Sequence, residues 1–211
     1  LEVVRETNPL PFICGTICAH PCENKCRRGK VDQALSIRAL KRVAVEQGKA
    51  SPPSRLKPQH PHKVAIIGSG PAGLTAAHDL AHLGYSVTIF ERDAVPGGAM
   101  MNFVPIYRLP RDWIQKDIDA ITALGVDIKT NHELGKNVTI GDLKKQGYQA
   151  TLLAMGLPLS RTPGVPGENF DGVLLALPFL KSVNLEGYRL PPGKTVIVVG
   201  GGNVAIDVAG S

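Results

Sequence analysis

Long apolar runs are missing from this sequence. A membrane-spanning helix needs roughly 18 or more consecutive apolar residues, and the short run Val173–Leu177 stops at Pro178. Membrane insertion is therefore not expected. No stretch has the layout of a secretory signal peptide, and the chain opens on Leu1 without an initiator methionine, so it reads as a piece of something longer. Cysteine is missing after residue 26. All four cysteines fall within thirteen residues, at 14, 18, 22 and 26, instead of being spread as a disulfide framework would be. That usage fits a reducing compartment, and a cytoplasmic location is expected. Recognised nucleic-acid motifs are absent too. Residues 1–63 hold twelve Lys/Arg against five Asp/Glu, whereas residues 64–211 hold twelve against thirteen. A basic end can be a nucleic-acid surface, but here the positive charge lies with the cysteines. Thiolates bound to metal leave negative charge that Lys and Arg offset, so no nucleic-acid partner is expected.

What is present changes in texture along the chain. Residues 1–49 are basic and Cys-bearing and end in one expected helix, with Ser36 as N-cap, Leu40, Val43 and Ala44 on one face and Gly48 as the stop. Residues 50–63 carry four prolines without periodicity and read as a linker. Beyond it, strands and helices alternate. Strands are expected at Val64–Ile67, Ser86–Phe90, Val126–Lys129, Thr151–Ala154 and Thr195–Val199, and helices at Ala72–Leu83 and Arg111–Leu124. The inward positions are Leu74, Ala77, Leu80 and Ala81 in the first helix, and Trp113, Ile114, Ile118, Ile121 and Leu124 in the second. This alternation predicts an α/β architecture around a mainly parallel sheet. Residues 64–192 form its first nucleotide-binding unit and residues 193–211 the start of a second.

The first unit carries Gly68-Ser-Gly70-Pro71-Ala72-Gly73, a G-x-G-x-x-G between a strand and a helix. Gly68 permits the tight turn, Gly70 lets a diphosphate approach the backbone, and Gly73 lets helix and strand pack closely. The phosphates then face the free N–H groups and positive dipole end of the helix. Glu91, 18 residues after Gly73, stands where a carboxylate can bond ribose hydroxyls. Strand before, helix after and acid in place make this a strong dinucleotide signal. Gly200-Gly-Gly202-Asn203-Val-Ala205 repeats the design with Ala in the third small position, which dinucleotide folds tolerate. Two such cradles in one chain suit a flavin and a nicotinamide, with the cofactors doing the hard chemistry. No catalytic side chain is needed for hydride transfer, and none is assigned.

Cys14-Gly-Thr-Ile-Cys18-Ala-His20-Pro21-Cys22-Glu-Asn-Lys-Cys26 has three equal gaps of three residues. It differs from the ferredoxin run C-x2-C-x2-C-x3-C-P and from paired C-x2-C zinc ribbons. Thiolates this close can reach shared metal, iron–sulfur first, zinc or free thiols as the alternatives. Pro21 rules out one straight helix through the segment. His20 is a possible ligand or an ordinary solvated imidazole beside it.

The ordered motifs Cys14-Gly-x-x-Cys18-x-x-Pro-Cys22-x-x-x-Cys26-Arg-Arg-Gly, Ser36-Ile-Arg-Ala-Leu-Lys-Arg, Gly68-Ser-Gly-Pro-Ala-Gly-Leu, Pro105-Ile-Tyr-Arg-Leu-Pro and Gly200-Gly-Gly-Asn-Val-Ala span nearly the whole chain. Together they resemble the glutamate synthase small (β) subunit family, whose module also forms the N-terminal part of dihydropyrimidine dehydrogenase. The resemblance implies a small α-helical iron–sulfur domain ahead of a Rossmann-like FAD-binding domain. It implies NADPH, or NADH in some branches, reducing FAD, and FAD passing electrons to [4Fe–4S] clusters and on to a partner catalytic subunit or fused domain. By motif position Cys18, Cys22 and Cys26 match cluster ligands, and Cys14, which matches a cysteine that in some relatives lies beside a cluster without binding it, is the fourth candidate ligand. Gly68, Gly70, Gly73, Glu91, Gly98 and Arg108 match positions around FAD, with Pro71, Ala72 and Arg92 in the same motifs, and Gly200, Gly202, Asn203 and Ala205 fall to the nicotinamide dinucleotide. Three departures stand out. Relatives draw further cluster ligands from an upstream cysteine set. Where they often place a Glu or Gln ligand, this sequence has Lys41. They also complete the flavin site with a later return segment. The alternative reading is a flavin enzyme that reduces a small molecule directly, with a zinc-bound or cluster-free N-terminal domain.

Overall fold

The computed structural model describes residues 1–49 and 53–211. The N-terminal part is helical. Short helices α1 (Glu2–Arg5), α2 (Pro11–Ile17) and α3 (Pro21–Asn24) lead through a 3-10 turn at Arg27–Lys30 into α4 (Ile37–Gln47). The cysteine segment is thus a helix broken ahead of Pro21, whose missing N–H suits only a first-turn position. α2 and α4 pack closely at Gly15, where an added Cβ would stand 3.2 Å from the Arg42 Cα.

The inward face of α4 differs from the expected one. Val45 is its buried residue, while Leu40 and Val43 are exposed. The face is chosen by the docking of α2, which periodicity cannot see.

Of the expected linker, residues 50–52 lie outside the described residues. From Pro53 onward it has no regular structure until its last residue, yet it is tied to the domain that follows. Leu56 donates its N–H to the Leu124 carbonyl, both Gln59 and His60 to that of Gly84, and the His60 ring stacks on Tyr85.

The main unit is a parallel sheet of β1 (Lys63–Ile67), β2 (Ser86–Phe90), β3 (Asp127–Lys129) and β4 (Tyr148–Leu153), in the order β3-β2-β1-β4. α5 (Pro71–His82) crosses from β1 to β2. α6 (Ala99–Asn102) and α7 (Arg111–Ala123) lie between β2 and β3, and α8 (Ile140–Lys145) precedes β4. β1 is apolar on both faces because both are covered, as parallel sheets require. One face packs Val64, Ile66 and Ile89 against Leu74, Ala77, Ile114, Ile118 and Ile121; the other packs Ala65, Ile67 and Phe90 against Val138 and Leu143. The α/β expectation holds, and the strands and helices lie within a few residues of their expected spans.

After β4 the chain runs through α9 (Ala176–Lys181), a π-turn at Ser182–Glu186 and α10 (Asn203–Ala209). Here one expectation fails. Thr195–Val199 does not form a strand, and Val196, Ile197 and Val199 are exposed. A strand exists through hydrogen bonds to a neighbour, and among the described residues this segment has none. No helix among the described residues is long and apolar enough to cross a membrane.

Candidate functional site

The first glycine fingerprint sits at the carboxyl edge of the parallel sheet, where open α/β sheets bind ligands. Its three glycines have three distinct surroundings. Gly68 has φ +104°, and a Cβ there would meet the Ala154 carbonyl oxygen at 2.5 Å. At Gly73 a Cβ would lie 1.9 Å from the Gly68 oxygen, so any side chain would push helix from strand. At Gly70 a Cβ would meet nothing within 4 Å, and Gly70 caps α5 with an ordinary φ of −68°. Two glycines are therefore demanded by the protein itself. The third faces open space at a helix N-terminus, and exposed Pro71 and Ala72 flank the same opening. That cradle fits a diphosphate.

Glu91, the residue after β2, is buried beside it and binds the fingerprint loop directly. Its Oε2 accepts the Ser69 N–H at 2.8 Å and the Ser69 hydroxyl, and its Oε1 accepts the Asp93 N–H at 2.9 Å. Ser69 Oγ in turn accepts the Gly97 N–H at 3.0 Å. Gly98, with φ +54°, lies so close that a Cβ would be 2.8 Å from the Gly70 Cα. Glu91, Ser69 and the Gly97–Gly98 turn thus clasp the loop from one side. Ser69 was missed from the sequence because it fills a variable slot of the fingerprint. Ser69→Ala is expected to cost about 1–3 kcal/mol of stability, since it removes a donor from a buried carboxylate and an acceptor from a buried N–H. Denaturant unfolding would measure it.

The remaining expected residues are scattered around this centre. Arg92 is exposed, 3.9 Å from Asp93. Burial pushes the Asp93 carboxyl up, but hydrogen bonds from Lys181 at 2.6 Å and Asn102 at 2.8 Å outweigh it and hold the group below its usual range. Arg108 projects to α10, where its Nη1 lies 2.8 and 2.7 Å from the two carboxylate oxygens of Asp207. The second fingerprint keeps the turn and the helix of the first but has no strand ahead of it among the described residues. Gly200 has φ +127°, Gly202 caps α10 with open space before it, Asn203 is exposed, and a Cβ on Gly200 would stand 3.6 Å from the Ala205 Cβ. A cavity of about 710 Å³ between α1, α5 and α7 touches neither fingerprint.

The four cysteines are all free thiols. Burial raises the Cys14 thiol, whereas backbone N–H groups of Leu35, Arg28 and Gly29 lower that of Cys26. Cys18 Sγ accepts the His20 N–H at 3.3 Å, and Arg38 binds the Cys18 carbonyl at 3.1 Å. His20 lies 3.1 Å from Glu23, whose other oxygen accepts the Arg38 N–H at 2.9 Å. The donor chemistry suits a soft metal centre, but among the described residues no three Cys, His, Asp or Glu converge as a ligand group. Cys22 is exposed, while Cys14, Cys18 and Cys26 are half-buried.

Deeper in, α2 rests on α7 through Asp117. This carboxylate accepts the N–H groups of Phe12 at 3.3 Å and Ile13 at 3.0 Å, the second and third residues of α2. Leu10, the local N-cap, has no side chain able to do so, and a residue more than a hundred positions away does it instead. Asp117 is fully buried, and burial raises its pKa to about 7, against the opposing pull of the two N–H groups. The signal was present in the sequence: position 117 falls on the apolar stripe of α7.

Residues 62–211 match the family model described as pyridine nucleotide-disulphide oxidoreductase. The chain belongs to this family. Residues 1–52 match the model of dihydropyrimidine dehydrogenase domain II, 4Fe-4S cluster. The expectation of an oxidoreductase that uses FAD, a nicotinamide dinucleotide and a [4Fe–4S] cluster agrees with both matches. Among relatives, the chain is 43% identical to the NADPH-Fe(3+) oxidoreductase subunit beta of Geobacter sulfurreducens, over 98% of this chain and 32% of that one. It is 41% identical to the NADP(+)-dependent formate dehydrogenase subunit beta of Moorella thermoacetica, over 100% and 33%. This family member therefore spans about a third of the length of those relatives. Among solved structures, FprA of Mycobacterium tuberculosis in complex with NADPH aligns with a TM-score of 0.60 at 26% identity, over 71% of this chain and 36% of that one.

Proposed function

We propose that the chain is the central part of an electron-input module. In this reading NADPH at the second cradle reduces FAD at the first, and electrons leave through [4Fe–4S] clusters of the N-terminal helical unit to a partner subunit or fused domain in the cytoplasm. The observation that carries it is the pair of glycine cradles, each with a backbone-only opening at a helix N-terminus. When bound, the flavin supplies the conversion between two-electron hydride chemistry and one-electron transfer. The chain's own residues bind and orient. Gly68, Gly70 and Gly73 shape the diphosphate cradle, Glu91 and Ser69 hold it rigid, and Gly97–Gly98 close one side. Gly200, Gly202, Asn203 and Ala205 are assigned the same task for NADPH.

Cys18, Cys22 and Cys26 are assigned to cluster binding by their match to the family motif, and Cys14 is the fourth candidate, on a cluster or beside it. The resemblance to glutamate synthase small subunits supports completion of the ligand sets by upstream cysteines. The domain limits proposed are 1–49 for the helical unit, 64–192 for the flavin unit and 193 onward for the nicotinamide unit. That relatives are named as subunits supports a partner as the destination of the electrons.

The full-length protein, purified without oxygen, is expected to show flavin bands over broad iron–sulfur absorption, both bleached by NADPH. Flavin bands without iron would remove the cluster from the scheme. Zinc in place of iron, with turnover of a diffusible acceptor and no partner, would favour the direct reductase instead.

A further inference from the structure

We propose that the Arg108–Asp207 ion pair is a positioning device that fixes the helix of the second cradle against the flavin unit. It sets the distance across which the two cofactors meet. The inference rests on the two-cradle reading above and adds to it the residues that hold the cradles in register.

α10 is the helix at whose N-terminus the second cradle opens, yet most of it is uncovered. Val204 and Ile206 are 44% and 62% exposed. Asp207 is its buried residue, at 6%. A carboxylate taken out of water without a partner is strongly unfavourable, and the partner here comes from the first unit. Arg108 places Nη1 2.8 and 2.7 Å from the two oxygens of Asp207.

Arg108 itself is held by a rigid support. It sits in the turn Pro105–Pro110, where both the Arg108 and Leu109 N–H groups bond the Pro105 carbonyl at 3.0 Å. The neighbouring Leu109 is fully buried in the core of the first unit. Tyr107 of the same turn closes on α10 as well. Its hydroxyl lies 3.4 Å from the Asp207 carbonyl oxygen, and a Cβ on Gly210 would stand 2.7 Å from it. One short turn of the flavin unit thus grips the side chain, the backbone and the end of α10. The same stretch of chain, seven residues earlier, supplies the Gly97–Gly98 wall of the first cradle, so the turn is continuous with one cradle and clamped to the other.

Hydride transfer requires reacting atoms about 3–3.5 Å apart, and a displacement of about 1 Å at a remote support can cost roughly a hundredfold in rate. Removing the charge at Asp207 while keeping its size should therefore slow the step without emptying either site.

The test uses the full-length, FAD-loaded protein under anaerobic rapid mixing. Asp207→Asn is expected to bind FAD at wild-type stoichiometry and to accept electrons from dithionite, which needs no second cradle, as the wild type does. Its flavin should bleach with NADPH roughly tenfold to a hundredfold more slowly at saturation, with little change in the half-saturating NADPH concentration. Asp207→Glu keeps the charge and should recover most of the rate. Hydrogen exchange should rise in residues 203–209 of Asp207→Asn and stay unchanged in residues 63–90, a comparison that decides the matter in cofactor-free protein if the variant holds flavin poorly. Wild-type bleaching and wild-type exchange in Asp207→Asn, or equal impairment in Asp207→Glu, would overturn the proposal. A wild type that NADPH does not bleach would instead overturn the two-cradle reading on which it rests.

Discussion

Gly70→Val is expected to leave the protein folded and to strip it of flavin, whereas Gly73→Ala is expected to damage the fold itself. The two glycines stand three residues apart in one motif and differ in what surrounds them. A Cβ at Gly70 would meet nothing within 4 Å beyond its chain neighbours and has an ordinary backbone conformation to occupy. Its branches enter only the space where the diphosphate approaches the backbone. Losing one or two hydrogen bonds to charged oxygens costs about 1.5–3 kcal/mol each, or roughly tenfold to 150-fold in FAD affinity per bond lost. At Gly73 the new Cβ would overlap the Gly68 oxygen at 1.9 Å and crowd Ile66 at 3.3 Å, so β1 and α5 must separate. Overpacking of this kind costs on the order of 3 kcal/mol. Flavin content after gel filtration, with denaturant unfolding of the cofactor-free proteins, separates the two effects. Retention of flavin by Gly70→Val, or early unfolding of its apo form, would show that the opening is not the ligand's.

The second large effect is expected at Asp117. Its carboxylate caps α2 from α7 and is a polar tie between the cysteine-bearing helices and the sheet unit. Asp117→Ala leaves two N–H groups of α2 without an acceptor, each at about 1–3 kcal/mol. Hydrogen exchange at Phe12 and Ile13 should speed up while the sheet amides stay protected. The same residue makes stability depend on pH near neutrality. Its folded pKa, about 7, lies above the ordinary 3.8, so the folded state binds the proton more tightly than the unfolded state does. The stabilisation this provides is complete below about pH 4 and is lost as pH rises through 7. At about 1.36 kcal/mol per unit it amounts to roughly 4 kcal/mol. Asp117→Asn should flatten that part of the profile, and thermal unfolding measured between pH 5 and 8 would detect it. An identical slope in the variant would assign the pH dependence elsewhere.

Much of the flavin unit could be read directly. β1, β2, α5 and α7 were legible because apolar periodicity and glycine punctuation are local properties, and the steric demands at Gly68 and Gly73 were legible because backbone sterics act over a few residues. Less legible was the N-terminal helical unit. The periodicity of α4 pointed to Leu40 and Val43, but contact with α2 selected Val45. The strand expected at Thr195–Val199 shows the same limit, because a β pattern records a preference while pairing requires a neighbour.

The amino-acid sequence by itself determined the two cradles, the parallel α/β plan, and a thiol-rich segment that Pro21 keeps from being one helix. Only the tertiary structure decided that Asp117 would cap α2, that Ser69 would join Glu91 to Gly97, and that Arg108 would reach Asp207. The physical reason is the range of the interaction. Glycine conformation and hydrophobic period act between residues close in the chain, where spacing alone reveals them. A buried carboxylate is paired by whichever donor the packing brings within about 3 Å, and here two of those donors lie about a hundred residues away.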